Sequence, residues 1–122
     1  MQKKILLVDD SASLRTVVVT ALEGAGYEVR EACNGQEALE VLENDKVDLI
    51  ISDVNMPVMD GLTFIAEVKK LPEYKFAPII MLTTETGKDK QEVAQDIGVR
   101  AWVIKPFKPE TMLDAVMKMI GT

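Results

Sequence analysis

Side chains that can hold a cation or bind a phosphoryl group stand within two residues after four of the short apolar runs in this 122-residue chain. They are Asp9 and Asp10 after the first run, Asp53 after the third, Thr83 after the fourth and Lys105 after the fifth. Three neighbouring carboxylates repel one another unless one is protonated or a cation joins them. Oxygen ligands without His or Cys favour a hard divalent ion, and a small ligand set that leaves room for water and a phosphoryl oxygen favours Mg²⁺ over Ca²⁺.

The same residues predict a phosphoryl-transfer site. Lys105 and the Thr83 hydroxyl could stabilise the equatorial oxygens of a phosphoryl group in transfer. Asp53 is the candidate nucleophile, because a carboxylate can attack phosphorus and form an aspartyl phosphate. Taken singly, each residue has a plainer interpretation as a helix cap, a turn, a strand residue or a solvated side chain. Their joint placement at four strand ends favours the site.

Five apolar runs predict the strands that would position these residues. The runs cover residues 5–8, 27–32, 49–51, 79–82 and 101–104. Parallel strands that are covered on both faces lose the alternation of apolar and polar residues, and four of the runs have this uniform character. The mixed run 27–32 is expected at an edge of the sheet.

Segments with apolar residues at helical spacing separate and follow the strands. The first is expected to turn one apolar stripe toward the sheet: Leu14, Val17, Val18, Ala21, Leu22 and Ala25. A capping-box pattern at 34–37 predicts the start of a second helix. The later helices are predicted from Leu62, Ile65 and Ala66, from Val93, Ala94 and Ile97 closed by Gly98, and from Pro109 onward with Met112, Leu113, Val116, Met119 and Ile120.

Five β-α units of about 24 residues each suit right-handed crossovers over a parallel sheet. The predicted fold class is α/β, a doubly wound five-stranded parallel sheet flanked by five helices, forming one domain over residues 1–122. Ligands of such sheets bind beyond the carboxyl ends of the strands, where the polar residues above are found.

Composition narrows the function classes. The net charge of −6 disfavours nucleic acid and anionic membrane surfaces as partners, and the absence of histidine removes His-based metal sites and catalytic triads. The single cysteine, Cys33, cannot form an intrachain disulfide, which with no targeting or membrane-spanning segment predicts a cytoplasmic protein without membrane insertion.

Four motifs in order carry a resemblance to a known family over residues 4–120. They are ILLVDDS at 5–11, DVNMPVMDGL at 53–62, MLT at 81–83 and VIKPF at 103–107. In these motifs the chain resembles a response-regulator receiver domain of the single-domain, CheY-like chemotaxis type, whose flavodoxin-like sheet has the strand order 2-1-3-4-5. The resemblance implies a two-component signalling switch rather than an enzyme acting on other substrates.

The resemblance also implies roles for the motif residues. Asp53 would accept a phosphoryl group from a sensor histidine kinase, with Mg²⁺-dependent self-phosphorylation and autodephosphorylation. The implied metal ligands are Asp10, Asp53 and the backbone carbonyl of Asn55, with Asp9 acting through water. Thr83 and Lys105 would bind the phosphoryl oxygens, and the Lys105-Pro106 peptide would be cis.

Three further positions relate to lifetime and switching. Asn55 and Glu85 match the residue types that in the family tune the hydrolysis of the acyl phosphate, in a short-lived pattern. Trp102 stands where the family usually has Tyr or Phe, whose ring moves inward when the Thr, here Thr83, follows the phosphoryl group. Indole is larger and carries only an N–H donor, so the same movement needs more room.

Output is expected through binding, since the chain ends after its last predicted helix and leaves no length for an effector domain. The resemblance implies a target surface on the fourth helix, fifth strand and fifth helix. Its candidate residues are Lys88, Lys90, Val99, Trp102, Lys108 and the exposed side of 111–118. An output regulator, a phosphate sink and a relay intermediate remain equal alternatives.

Two other classes stay open. A phosphatase of the haloacid-dehalogenase type would use Asp and a Thr/Lys pair, but its DxD pattern lies on the first strand, whereas the candidate here lies on the third and is followed by Asn55. A flavin or nucleotide module would need phosphate-binding donors in the first βα loop, where Asp9 and Asp10 would instead repel an anion.

Overall fold

The computed structural model describes residues 2–54, 56–83, 99 and 101–121. Its strands are β1 (Lys4–Val8), β2 (Glu28–Ala32), β3 (Leu49–Asp53), β4 (Ile79–Thr83) and β5 (Ala101–Ile104). They form one parallel sheet in the order β2-β1-β3-β4-β5. This order confirms the predicted topology, and the mixed strand β2 lies at an edge as expected.

Helices connect or follow these strands. They are α1 (Ala12–Gly24), α2 (Gly35–Asn44), α3 (Gly61–Lys69) and the C-terminal helix (Pro109–Ile120), with a 3₁₀ turn at Pro72–Tyr74 that the sequence analysis did not predict. Side chains of Ser11, Asn34 and Asp60 cap the first three helices by accepting a backbone N–H. The helix predicted from Val93, Ala94, Ile97 and Gly98 lies outside the described residues.

The sheet separates two apolar clusters, because side chains alternate between its faces along each strand. We call the side covered by α1 and the C-terminal helix the α1 face; it buries Ile5, Leu7, Leu49, Ile51, Ile80, Leu82 and Val103. The side covered by α2 and α3 is the α3 face; it buries Leu6, Val8, Ile50, Ile79 and Met81. Burial on both faces explains why the strands are apolar at successive positions.

One detail of the predicted α1 stripe is wrong. Val18 and Leu22 are buried against the sheet, but the side chain of Val17 is 50% exposed. The contact made by α1 is therefore narrower than the sequence spacing indicates. No helix among the described residues is long and apolar enough to cross a membrane.

Candidate functional site

The charged residues of the site continue the alternation that fills the α1 face. Each stands two positions after a core residue of that face: Asp9 after Leu7, Asp53 after Ile51 and Lys105 after Val103. The peptide N–H of Asp9 still donates to the carbonyl of Ala32, 3.1 Å away, so the β1 ladder extends to this residue. The fold therefore brings the three side chains to one rim of the sheet on one side, as the sequence predicts.

Three carboxylates meet at this rim. One oxygen from each of Asp9, Asp10 and Asp53 lies within 4.8 Å of the other two. Asp9 is fully buried, Asp53 is 6% exposed, and Asp10 faces solvent. Water cannot solvate two buried negative charges, so the cluster requires positive charge from the protein or from a bound ion.

Lys105 supplies part of that charge. Its ammonium Nζ lies 2.9 Å from Oδ2 of Asp9 and 3.3 Å from Oδ2 of Asp53. Burial alone would lower the pKa of Lys105, but the hydrogen bond and charge of Asp9, together with Asp53, raise it above its ordinary value. The side chain therefore remains an ammonium throughout the neutral range. Its backbone N–H donates to the carbonyl of Thr83 at 2.8 Å, which joins the start of this loop to β4.

The donor set fits a hard divalent cation such as Mg²⁺. All three side chains offer oxygen, the ligand type that Mg²⁺ prefers. The Oδ2 oxygen of Asp9 accepts a hydrogen bond from Lys105 Nζ, and its Oδ1 oxygen accepts one from the N–H of Ser11 at 2.8 Å. Because both oxygens of Asp9 already have donors, Asp9 suits a role in which it contacts the cation through water. Asp10 is exposed toward solvent and is free of such contacts with Lys105 and Ser11 among the described hydrogen bonds. Asn55, the third implied ligand, lies outside the described residues.

Gly61 supports the same rim, although the motif at 53–62 that contains it predicts no role for this residue. A Cβ at this position would lie 2.1 Å from the carbonyl oxygen of Asp53 and 2.9 Å from the Cα of Val54. The N–H of Gly61 also donates to the carbonyl of Val54 at 2.8 Å. Only glycine allows the start of α3 to lie this close to the end of β3.

Thr83 and Trp102 belong to the opposite side of the sheet. Thr83 follows Met81 by two positions, and Met81 pairs in register with Trp102. Met81 and Trp102 both pack in the α3-face cluster. Because side chains alternate along a strand, Thr83 points to the same side of the sheet as Met81 and Trp102, which we call the α3-face parity. Thr83 is 1% exposed at the end of β4, beside β3. The buried Nε1–H of Trp102 has no hydrogen-bond partner among the described residues.

The candidate target surface is described in part. Glu85, Lys88 and Lys90 lie outside the described residues. Val99 is only 7% exposed and packs in the α3-face cluster, so its inclusion among surface candidates is wrong. The exposed candidates on and before the C-terminal helix are Lys108, Thr111, Asp114, Met117 and Lys118.

Comparison with known proteins gives consistent likenesses. A family model described as the response regulator receiver domain matches residues 5–117. The chain is 40% identical to the chemotaxis protein CheY1 of Helicobacter pylori, with 98% of each chain covered. It is similar to the structure of the chemotaxis response regulator CheY4 of Vibrio cholerae, with TM-score 0.93 and 46% identity over 98% of this chain and 100% of that one.

A third likeness concerns the metal. The receiver domain of the sensor histidine kinase PA1611 from Pseudomonas aeruginosa has TM-score 0.89 and 29% identity, with both chains fully covered. Its structure is described as having a magnesium ion coordinated in the active-site cleft.

Proposed function

This chain belongs to the response regulator receiver domain family of two-component signalling, and on that premise we propose that Asp53 is the residue that accepts the phosphoryl group from a histidine kinase. The observation that carries the proposal is the buried Asp9–Lys105–Asp53 arrangement at the carboxyl ends of the strands. Of the three clustered carboxylates, Asp53 is on the central strand β3 and borders both the acidic pair and Lys105.

The transfer is a displacement at phosphorus. A carboxylate oxygen of Asp53 forms a bond to phosphorus while the bond from phosphorus to the donor's imidazole nitrogen breaks, and the bonding pair leaves with the imidazole. Lys105 is an ammonium near Asp53, so it can follow the added negative charge onto the phosphoryl oxygens. Thr83 supplies a hydroxyl at the neighbouring strand end for the same oxygens.

The proposed metal site uses Asp10, Asp53 and the carbonyl of Asn55 as ligands, with Asp9 acting through water. Mg²⁺, when bound there, would offset the charge of the carboxylates and of the incoming phosphoryl group. Support comes from the oxygen-only donor set and from the magnesium ion described in the similar Pseudomonas receiver. Asn55 and Glu85 are the positions proposed to set the rate at which water hydrolyses the acyl phosphate.

Output is proposed to pass from Thr83 to Trp102 and then to a protein target. Both residues share the α3-face parity. The buried indole N–H of Trp102 has no acceptor within the described part of the chain, and a buried donor without a partner costs roughly 1–3 kcal/mol, which supports movement of the ring. A groove of about 560 Å³ beside Trp102, Ile104, Phe107 and Thr111 offers a place where a target could bind. The named chemotaxis relatives support a role in chemotaxis or motility control.

Acetyl phosphate and Mg²⁺ test the chemistry directly. Intact-mass measurement should show one added phosphoryl group on the wild type and none on Asp53→Asn. Asp60→Asn is the matched control, because it makes the same chemical change nearby at a helix cap that Asn can also fill, so it should still be labelled. Labelling of Asp53→Asn, or many turnovers of a phosphomonoester without a stable adduct, would overturn the proposal in favour of another site or of a phosphatase.

A further inference from the structure

Arg15 makes two contacts behind the acidic cluster that none of the roles above uses. Its Nη1 donates to the backbone carbonyl of Asp9 at 2.5 Å, and its Nε donates to Oε1 of Glu31 on β2 at 3.2 Å. The Arg15 side chain is 18% exposed, whereas that of Glu31 is 47% exposed. The guanidinium is thus held between the edge strand and the loop that carries Asp9 and Asp10.

The position of Arg15 along α1 is electrostatically unfavourable for the helix itself. It is the fourth residue of α1, and its own N–H makes the helical bond to the Ser11 carbonyl at 3.0 Å. The N-terminal end of a helix carries partial positive charge, so a cation there is disfavoured. The first turn of α1 contains no acidic residue that would compensate. The compensation lies outside the helix, in the Asp9 carbonyl and Glu31.

The Asp9 carbonyl belongs to the peptide that joins Asp9 to Asp10. Because a peptide unit is planar, holding its oxygen limits the orientation of the whole unit and therefore the direction in which the Asp10 side chain leaves the backbone. Asp10 is the exposed member of the carboxylate cluster, with no burial of its own to fix it. We infer that Arg15 is a positioning residue for the metal site, which fixes the Asp9–Asp10 peptide so that both carboxylates face the same point. This inference rests on the proposed function.

Removal of Arg15 would have two effects of opposite sign on cation binding. Loss of a nearby positive charge makes the acidic pocket more negative, which would tighten Mg²⁺ binding. Loss of the hydrogen bond to the Asp9 carbonyl frees the Asp9–Asp10 peptide, which would weaken Mg²⁺ binding. Groups that orient metal ligands from behind typically change metal affinity about tenfold or more, so the positioning effect should win at a side chain this close. The sign of the change therefore distinguishes positioning from simple electrostatics.

The test measures Mg²⁺ affinity of the unphosphorylated protein by NMR titration, following the amide signals of Asp10 and Val54. Arg15→Met removes the charge and both donors, and we expect it to weaken Mg²⁺ binding by roughly tenfold. Arg15→Lys keeps the charge but lacks the planar fork that reaches both partners, so its affinity should fall between those of Met and wild type. Arg30→Met is the matched control, because Arg30 pairs with Glu28 and Asp45 away from the cluster and its loss should leave Mg²⁺ affinity unchanged.

Each outcome decides the inference. If Arg15→Met binds Mg²⁺ as tightly as wild type, or more tightly, the positioning role of Arg15 is overturned while the proposed function stays intact. Wild type that does not bind Mg²⁺ overturns the proposed metal site and this inference together. Urea unfolding of each variant, measured without Mg²⁺, shows that it is folded, and Arg15→Lys carries the same test at smaller amplitude if the Met variant does not fold.

Discussion

Replacing Gly61 by Ala tests how closely α3 and β3 are packed behind the proposed phosphoacceptor. The added methyl group would lie 2.1 Å from the Asp53 carbonyl oxygen, whereas a carbon and a carbonyl oxygen normally stay about 3.3 Å apart. The backbone must therefore shift by about 1 Å. Overpacking a core usually costs about 1–3 kcal/mol, and here the obstacle is backbone on two residues, Asp53 and Val54, so the upper end applies.

The better helix propensity of Ala returns roughly 0.5–1 kcal/mol, which leaves a net loss of about 2 kcal/mol in the free energy of unfolding. The same shift would move the end of β3 and with it the Asp53 carboxylate. Misplacement of a reacting group by 1 Å can cost about 10²-fold in rate, so labelling of Asp53 by acetyl phosphate should slow by roughly 10- to 100-fold.

Gly24→Ala is the matched control for this substitution. Gly24 is the last residue of α1, and a Cβ there would meet nothing within 4 Å. The same chemical change should therefore stabilise the protein, by about 0.5–1 kcal/mol, and leave labelling unchanged. Urea unfolding followed by circular dichroism measures both variants. If Gly61→Ala were as stable as wild type and labelled at the same rate, the close packing inferred from the Asp53 carbonyl would be wrong.

Three further predictions concern single side chains. Val58 is 81% exposed and has a φ of 69°, a conformation that costs a residue with a Cβ about 1–2 kcal/mol. After the entropy cost of glycine is subtracted, Val58→Gly should raise the free energy of unfolding by about 0.5–1 kcal/mol. A lower free energy of unfolding in urea would contradict this prediction. Beryllium fluoride with Mg²⁺, which mimics a phosphoryl group, should change the fluorescence of Trp102, the only Trp, in wild type but not in Asp53→Asn; an unchanged signal would argue against its movement. Because the folded-state pKa of Lys105 is raised, its ion pairs stabilise the protein fully below the ordinary lysine pKa of about 10.4, and this stability is lost as the pH rises further. The difference in the free energy of unfolding between wild type and Lys105→Met should therefore stay constant from about pH 7 to 9 and shrink at higher pH. A difference that already shrinks near neutral pH would refute the ion pairing of Lys105.

Much of the sheet could be predicted because the strands are buried on both faces. Uniform apolar runs predict four of the five strands, and the mixed run 27–32 predicts the fifth, β2, at an edge. The apolar run predicts the end of β3 too early, at residue 51, because Ser52 and Asp53 are polar. In the structure both are buried and still pair with β4, Asp53 in register with Leu82. A polar residue can therefore extend a central strand when it faces a site.

Other features could not be predicted because the spacing of residues along the sequence does not give the distances between their atoms in the fold. Val17 fits the helical stripe as well as Val18 does, but α1 contacts the sheet along a narrower line, so Val17 remains half exposed. Gly61 has the sequence context of a helix start, and only the contact with the Asp53 carbonyl shows why a side chain is excluded. Arg15 reads as an ordinary charged helix residue until its bond to the Asp9 carbonyl is seen.

The alternation of side chains along the strands divides the site in a way that bears on signalling. Asp9, Asp53 and Lys105 continue the α1 face, whereas Thr83 and Trp102 have the parity of the α3 face. Among the described residues, the two faces bury separate apolar clusters with the sheet between them, so Asp53 and Trp102 do not share one packed core there. The faces come together at the strand ends, where the Lys105 N–H donates to the Thr83 carbonyl. In the proposed switch, a signal from Asp53 to Trp102 would therefore pass around the end of β4, with Thr83 between the proposed phosphoacceptor and the indole ring.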